Sequence, residues 1–157
     1  MDQKAPEINL HTHCCRCRHA TGTIADYAAC AHQAGIKILG FSDHVPFPDF
    51  EHNPDRMFFS ELPDYIKEIE EAQKRYPDVL ILKGLEIDYR PILGAAFYKE
   101  EYLDKLGLDY LIGGAHYTPA REGRTSRWCS YITPMPLDLL REFVDLSIQT
   151  METGLIA

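Results

Sequence analysis

Apolar residues are arranged along this chain in two rhythms. Short unbroken runs alternate with longer segments in which apolar positions recur every three or four residues. The run EINL at 7–10 predicts a first strand. Over 24–34, Ile24, Tyr27, Ala28 and Ala31 share one face, Thr23 can cap the start and Gly35 can close the end, which predicts a helix. IKILGFS at 36–42 predicts a buried strand, and 43–59, rich in Pro and Phe, a loop. A second helix begins at Ser60, with Leu62, Tyr65, Ile66 and Ile69 on one face; Pro63 is tolerated in its first turn and Pro77 ends it. VLILKGLEID at 79–88 predicts a strand, and a polar helix then runs to Leu106, closed by Gly107. DYLIGG at 109–114 predicts another strand and 115–135 a long loop. Residues 137–152 form an amphipathic pattern through Leu139, Leu140, Phe143, Val144, Leu146 and Ile148, with Gly154 following as the C-cap. LIA at 155–157 has the composition of an opening fifth strand.

Strands alternating with helices at this spacing predict βαβ units on a parallel sheet, an α/β fold. The 157 residues are the length of one domain, and no repeat or low-complexity segment interrupts them. Composition changes this picture little, but charge narrows the partners. With 24 acids against 16 bases the net charge is -8, which argues against a general nucleic-acid binder. An anionic substrate would need local attraction, from metal ions or from arginines. No apolar stretch approaches the length of a membrane span, and MDQKAPEI lacks the pattern of a signal peptide. Five cysteines, Cys14, Cys15, Cys17, Cys30 and Cys129, are an odd number, which predicts reduced thiols and a cytoplasmic location.

The chemistry lies where strands end. His11 and His13 follow the first run, Asp43 and His44 the second, Glu86 lies in the third, and His116 follows the fourth. In α/β folds the C-terminal strand ends are where sites are built. Residues i and i+2 of a strand share a face, so His11 and His13 can hold one ion together. Histidine is a poor strand former, and two on one face are hard to explain without a use. Imidazole suits Zn, Fe, Ni and Cu, and carboxylates extend the choice to Mn and Mg. Glu86 taken alone reads equally as a buried, satisfied acid, although a carboxylate can also bridge two metal ions. His32, inside a helix, and His52, in a polar loop, read as ordinary residues. So do the cysteines, since Cys14-Cys15-x-Cys17 lacks a second C-x-x-C half. Arg16, Arg18, Arg121, Arg124 and Arg127 are loop cations, each more simply explained as solvated charge than as a phosphate ligand.

Taken in order, HTHCCRCRHATGT, GFSDHVPFP, GLEIDY and GGAHY resemble the PHP (polymerase and histidinol phosphatase) family, and its histidinol-phosphatase branch in particular. The resemblance runs from Ile8 to Gly154 and implies a distorted (β/α) barrel, here an incomplete one of about four to five parallel strands. It implies His11, His13, His19, His44, Glu86 and His116 as metal ligands, with Glu86 bridging, and leaves the cysteines out. It implies divalent ions, Zn, Mn or Fe, up to three in a complete family member. Asp43, His44, Glu86 and His116 would serve catalysis, Asp43 by orienting His44 or another ligand, though it reads equally as a plain loop acid. A later GHxD-like histidine and a C-terminal Asp and His of the family are not found, so residues 1–157 are expected to be the N-terminal part of a longer PHP domain.

The function so implied is hydrolysis of a small phosphate monoester by hydroxide, with histidinol phosphate of histidine biosynthesis as the expected substrate. Two rivals remain: another PHP phosphoesterase acting on phosphotyrosine, a nucleotide or a sugar phosphate, and a non-catalytic metal-binding fragment. An incomplete barrel leaves a strand edge open, so self-association is expected.

Overall fold

In the computed structural model, residues 6–49, 55–118, 127–128 and 134–156 are described. Four parallel strands, β1 (Ile8–Thr12), β2 (Ile38–Phe41), β3 (Leu80–Asp88) and β4 (Tyr110–Gly114), lie side by side in chain order. Parallel neighbours need crossover connections. Helices α1 (Ile24–Ala34) and α2 (Leu62–Arg75) make the first two crossovers, and α3 (Gly94–Tyr98), running on as a π-helical stretch (Lys99–Asp104), makes the third. α4 (Leu137–Glu152) follows the last strand. The sheet is half of a barrel, with β1 and β4 each paired on one side only among the described residues.

Local chemistry explains these boundaries. At the start of α1, Thr23 Oγ1 accepts from Asp26 N at 3.2 Å, and Thr23 N donates to Asp26 Oδ2 at 2.8 Å. The two residues thereby satisfy each other's orphan amides. Gly35, at φ 76°, closes the helix in the left-handed conformation that L side chains avoid. α1 turns Ile24, Ala28 and Ala31 inward, and α2 turns Leu62, Tyr65, Ile69 and Ala72 inward. They pack with Leu39, Phe41, Ile81, Leu85 and Ile87 of the strands into one core.

The structure departs from expectation in three places. The segment expected as a loop over 115–135 contains a short antiparallel pair, β5 (Tyr117–Thr118) with β6 (Arg127–Trp128). Two residues per strand are too few to leave a sequence signature. The helix expected to be polar has a buried side: the hydroxyl of Tyr98 donates to Asp88 O at 3.0 Å, and that of Tyr102 to Pro46 O at 2.7 Å. Their rings bury only because those hydroxyls find partners. Among the described residues the parallel strands are four, within the expected four to five, and no opening fifth strand is seen at Leu155 and Ile156. Gly154, at φ 66°, turns the chain, and Leu155 and Ile156 fold back onto the core without pairing.

The strands are shaped around Tyr110. Its ring crosses the concave side of the sheet, and its hydroxyl donates to Leu10 O at 2.7 Å, with Phe41 O at 3.2 Å. A Cβ built on Gly84 would meet Tyr110 Cζ at 2.5 Å, and one on Gly40 would strike the hydroxyl itself. Both glycines are therefore spatial requirements. Gly84→Ala should cost about 1–3 kcal/mol, the usual penalty for overpacking a core. Urea unfolding should show a lower midpoint at unchanged slope. Adding Tyr110→Leu should recover part of the loss; a double variant no more stable than Gly84→Ala would show that the clash lies elsewhere.

Candidate metal centre

The candidate ligands converge because the strand ladder continues past the end of β2. Glu86 N donates to Asp43 O at 3.0 Å and Val45 N donates to Glu86 O at 2.8 Å, which sets His44 beside Glu86 in parallel register. His11 lies in β1 and His13 just beyond it, and the shared face expected of i and i+2 is observed. Their Nε2 atoms stand 3.3 and 3.2 Å from the same oxygen, Glu86 Oε2. His44 Nδ1 is 3.1 Å from that oxygen, and His116 Nε2 is 3.6 Å from Oε1.

His19 joins from a separate turn. After the 3-10 turn Cys15–Cys17, Arg18 takes φ 64°, and the chain reverses. This brings the His19 ring to 5.2 Å from that of His13 and 5.1 Å from that of His44, centroid to centroid. The other side of the cluster needs a glycine. A Cβ on Gly114 would lie 2.6 Å from His116 Cε1 and 3.0 Å from Glu86 Oε1.

Asp43 is fully buried and accepts from Cys14 N at 3.0 Å and Cys14 Sγ at 2.9 Å. Its Oδ1 is 3.8 Å from His13 Nδ1, so the ring it faces is His13. Two residues that the sequence did not single out complete the surroundings. Asp88, two positions beyond Glu86 on the same face of β3, accepts from His116 N at 2.8 Å. Arg56, 2% exposed, donates to Asp88 Oδ2 at 2.8 Å. The spacing that drew attention to His11 and His13 applies equally to Glu86 and Asp88 and could have found the latter. His32 pairs with Asp78 on the surface, as an ordinary residue would. His52 and Cys129 lie outside the described residues, and Cys14, Cys15, Cys17 and Cys30 are free thiols. Arg16 is held by Glu61 at 3.1 Å and Glu68 at 2.6 Å, and Arg18 lies over the Phe58 ring. Arg121, Arg124 and the side chain of Arg127 lie outside the described residues.

Two features fit this constellation to metal ions. Among the described residues, His13 Nδ1 and His44 Nδ1 are buried ring nitrogens without a well-aligned hydrogen bond, although a carboxylate oxygen lies 3.8 Å from the first and 3.1 Å from the second. Buried polar atoms are seldom left so. Three sets of donor atoms also lie within 4.8 Å of one another: His11, His13 and Glu86; His13, Cys17 and His19; His44, Asp88 and His116. The protonation states follow from mutual charge. Burial opposes ionisation of Glu86, but the hydrogen bond from His13 and the charges of His44, His116 and His11 prevail and hold its pKa at about 2. Burial also opposes the charged form of His13, yet hydrogen bonds with Cys17 and Glu86 and the acids nearby raise it to about 9. His44 goes the other way. Burial lowers it to about 4, with Glu86 opposing and the neighbouring cations His116 and His13 assisting.

Comparison with known proteins accords with this geometry. The family model described as PHP domain matches residues 9–153. A Deinococcus radiodurans protein named "Probable histidinol-phosphatase" is 40% identical over 111 residues, covering 70% of this chain and 42% of that protein. An Escherichia coli protein named "Probable phosphatase YcdX" is 30% identical over 109 residues, covering 69% of this chain and 40% of that one. The chain thus spans less than half the length of these two relatives. Among solved structures, hisK of Listeria monocytogenes superposes with a TM-score of 0.63 at 24% identity, over 81% of this chain and 50% of that one. The histidinol phosphate phosphatase of Lactococcus lactis, complexed with zinc, L-histidinol and phosphate, gives 0.57 at 22% identity, over 70% of this chain and 40% of that one. These two structures establish the shared distorted-barrel fold.

The titrations set the acid behaviour of the metal-free chain. A carboxylate whose pKa falls from 4.5 unfolded to about 2 folded adds stability above the unfolded value, and this is lost as pH drops between the two. His13, raised from 6.5 to about 9, adds stability at low pH that is lost as pH rises through that interval. Glu86→Gln removes the titrating acid of the first effect and part of the cause of the second, which His13 owes also to Cys17 and Asp43. Its urea midpoint should therefore vary less with pH on both flanks than that of the unaltered chain. Parallel curves would mean that Glu86 is not the charge the imidazoles answer.

Proposed function

The chain belongs to the PHP domain family, and from that premise we propose that it is a metal-dependent phosphomonoesterase, with histidinol phosphate of histidine biosynthesis as its substrate. The observation that carries this reading is the convergence of four imidazoles on the single buried carboxylate of Glu86. The relative named for histidinol phosphatase activity, and the neighbour holding zinc, L-histidinol and phosphate, support the choice of substrate. His11, His13, His19, His44, Glu86 and His116 would hold the ions, with Glu86 shared between two of them. Zinc, manganese or iron, when bound, supplies Lewis acidity that lowers the pKa of water and offsets phosphate charge.

The chain's own residues prepare the site. Glu86 keeps a fixed negative charge, and His44, with its pKa near 4, presents a neutral ring at physiological pH. Asp43, clamped by Cys14, stands behind His13 as a positioning acid. Arg16 is engaged with two glutamates and Arg56 with Asp88, so neither is disposed toward a phosphate. A cytoplasmic setting is part of the proposal, supported by the free thiols. Among the described residues no helix is long and apolar enough to cross a membrane.

A second reading, a metal-binding chain without turnover, is supported by the open sheet: β1, which carries His11, and β4, which precedes His116, are each paired on one side only among the described residues. The two separate in one experiment. Zinc binding is measured by equilibrium dialysis, and phosphate release from L-histidinol phosphate in zinc or manganese against a metal-stripped control. Glu86→Ala should weaken zinc by more than about a hundredfold, beyond the range for losing an outer partner alone, whereas His32→Ala should change nothing. Bound zinc with no phosphate released would select the second reading, and no zinc bound would reject both.

Association of copies through the open edge also belongs to the proposal. Ile8 and Leu10 of the edge strand β1 are 54% and 38% exposed. Sedimentation over a concentration series should give a mass above the monomer's 18.0 kDa; a concentration-independent monomer would dismiss this part.

A further inference from the structure

β3 places two acids two residues apart on one face, Glu86 and Asp88, and surrounds them differently. Glu86 faces imidazoles. Asp88, 5% exposed, faces Arg56 through Oδ2 at 2.8 Å and His116 through Oδ1. That Oδ1 accepts from the backbone N of His116 at 2.8 Å and lies 3.1 Å from its Nδ1. We propose that Arg56 and Asp88 are a buried positioning pair that fixes the ring of His116, rather than Asp88 being a metal ligand. This rests on the metal-binding reading above.

The donor set of His44, Asp88 and His116 is compact enough to suggest a site for an ion. The guanidinium argues against Asp88 taking part. A cation on Asp88 would sit beside a permanent positive charge that already neutralises the acid. Arg56 cannot readily move away. Nη1 donates to Val45 O at 2.8 Å, and the guanidinium carbon lies 5.7 Å from the ring centres of both Phe47 and Tyr117. Asp88 is thus a fixed acceptor. It holds residue 116 at two points, backbone and ring, and with the proton on Nδ1 the Nε2 lone pair is directed toward Glu86. Outer carboxylates of this kind set the tautomer and direction of a ligating imidazole.

Arginine rather than lysine is needed, because one planar fork reaches two acceptors on separate segments. Val45 follows β2 and Asp88 ends β3, so the fork also ties the loop preceding α2 to the strand that carries Glu86.

Asp88→Asn tests the idea through the location of a proton. With its amide oxygen turned to Arg56, the new side chain would set its NH₂ group against both the backbone N–H and Nδ1 of His116, so the backbone bond is lost and the neutral ring should carry its proton on Nε2 instead of Nδ1. Asp88 favours the charged form of His116, so proton–nitrogen correlation spectra of the metal-stripped chain, with ring signals assigned, are recorded at a pH high enough for the ring to be neutral. The expected result is Nδ1–H at His116 in the unaltered chain and Nε2–H in Asp88→Asn, with zinc affinity about 10 to 100-fold weaker in the variant. Arg56→Lys should weaken zinc by a smaller factor, and His32→Ala should move neither readout. Unchanged tautomer together with unchanged zinc affinity in Asp88→Asn, or a neutral ring with Nε2–H already in the unaltered chain, would overturn the proposal. The second outcome decides even if the variant does not fold. The spectra need no metal. An unaltered chain with the expected ring proton but no zinc affinity would leave the pair standing and reject the metal-binding function.

Discussion

A buried carboxylate must find positive charge or lose its own, because leaving water costs an isolated ion far more than a fold can spare. Glu86 is that group here. It is 5% exposed, and among the described residues its ion-pair partners are four imidazoles, each charged only when protonated. The fold answers by delivering those four rings from the ends of three strands. β1 brings two, the continued ladder after β2 brings His44, and the turn after β4, opened by Gly114, brings His116. In the metal-free state the burden falls chiefly on His13, which retains its proton while His44 gives its own up. The site is therefore charged but exchangeable, since protons on imidazole are held at energies a divalent cation can contest.

Asp88 shows the opposite arrangement one pleat away. Its counter-charge is a guanidinium that does not deprotonate in proteins and is packed between aromatic rings. Two acids with the same burial thus behave differently because one is matched by charges that can leave and the other by a charge that cannot.

Much of this was legible in the chain. α1 stands where its periodicity, Thr23 and Gly35 place it, and α4 where its periodicity does. The central strands β2 and β3 were legible because they are largely buried, giving unbroken apolar runs. The pairing of His11 with His13 followed from the pleat alone. What escaped notice is non-local or depends on one backbone angle. Arg56 meets Asp88 across 32 positions, and no pattern near either residue announces it. His19 was implied by the family resemblance and by no local pattern: it reaches the cluster because Arg18 adopts a left-handed conformation unusual for its type. The tyrosines of α3 and its π-helical continuation count as polar by composition, and only their hydroxyl partners reveal that they face inward.

The ring of Tyr110, lodged over Gly40 and Gly84, constrains descent as well as stability. Enlarging either glycine while the tyrosine is in place sets atoms into overlap, and shrinking the tyrosine first opens a void and frees the carbonyls of Leu10 and Phe41 from their shared donor. Either single step costs about 1–5 kcal/mol. The three positions therefore form one evolutionary unit, and replacement at any of them is expected to be accompanied by change at the others.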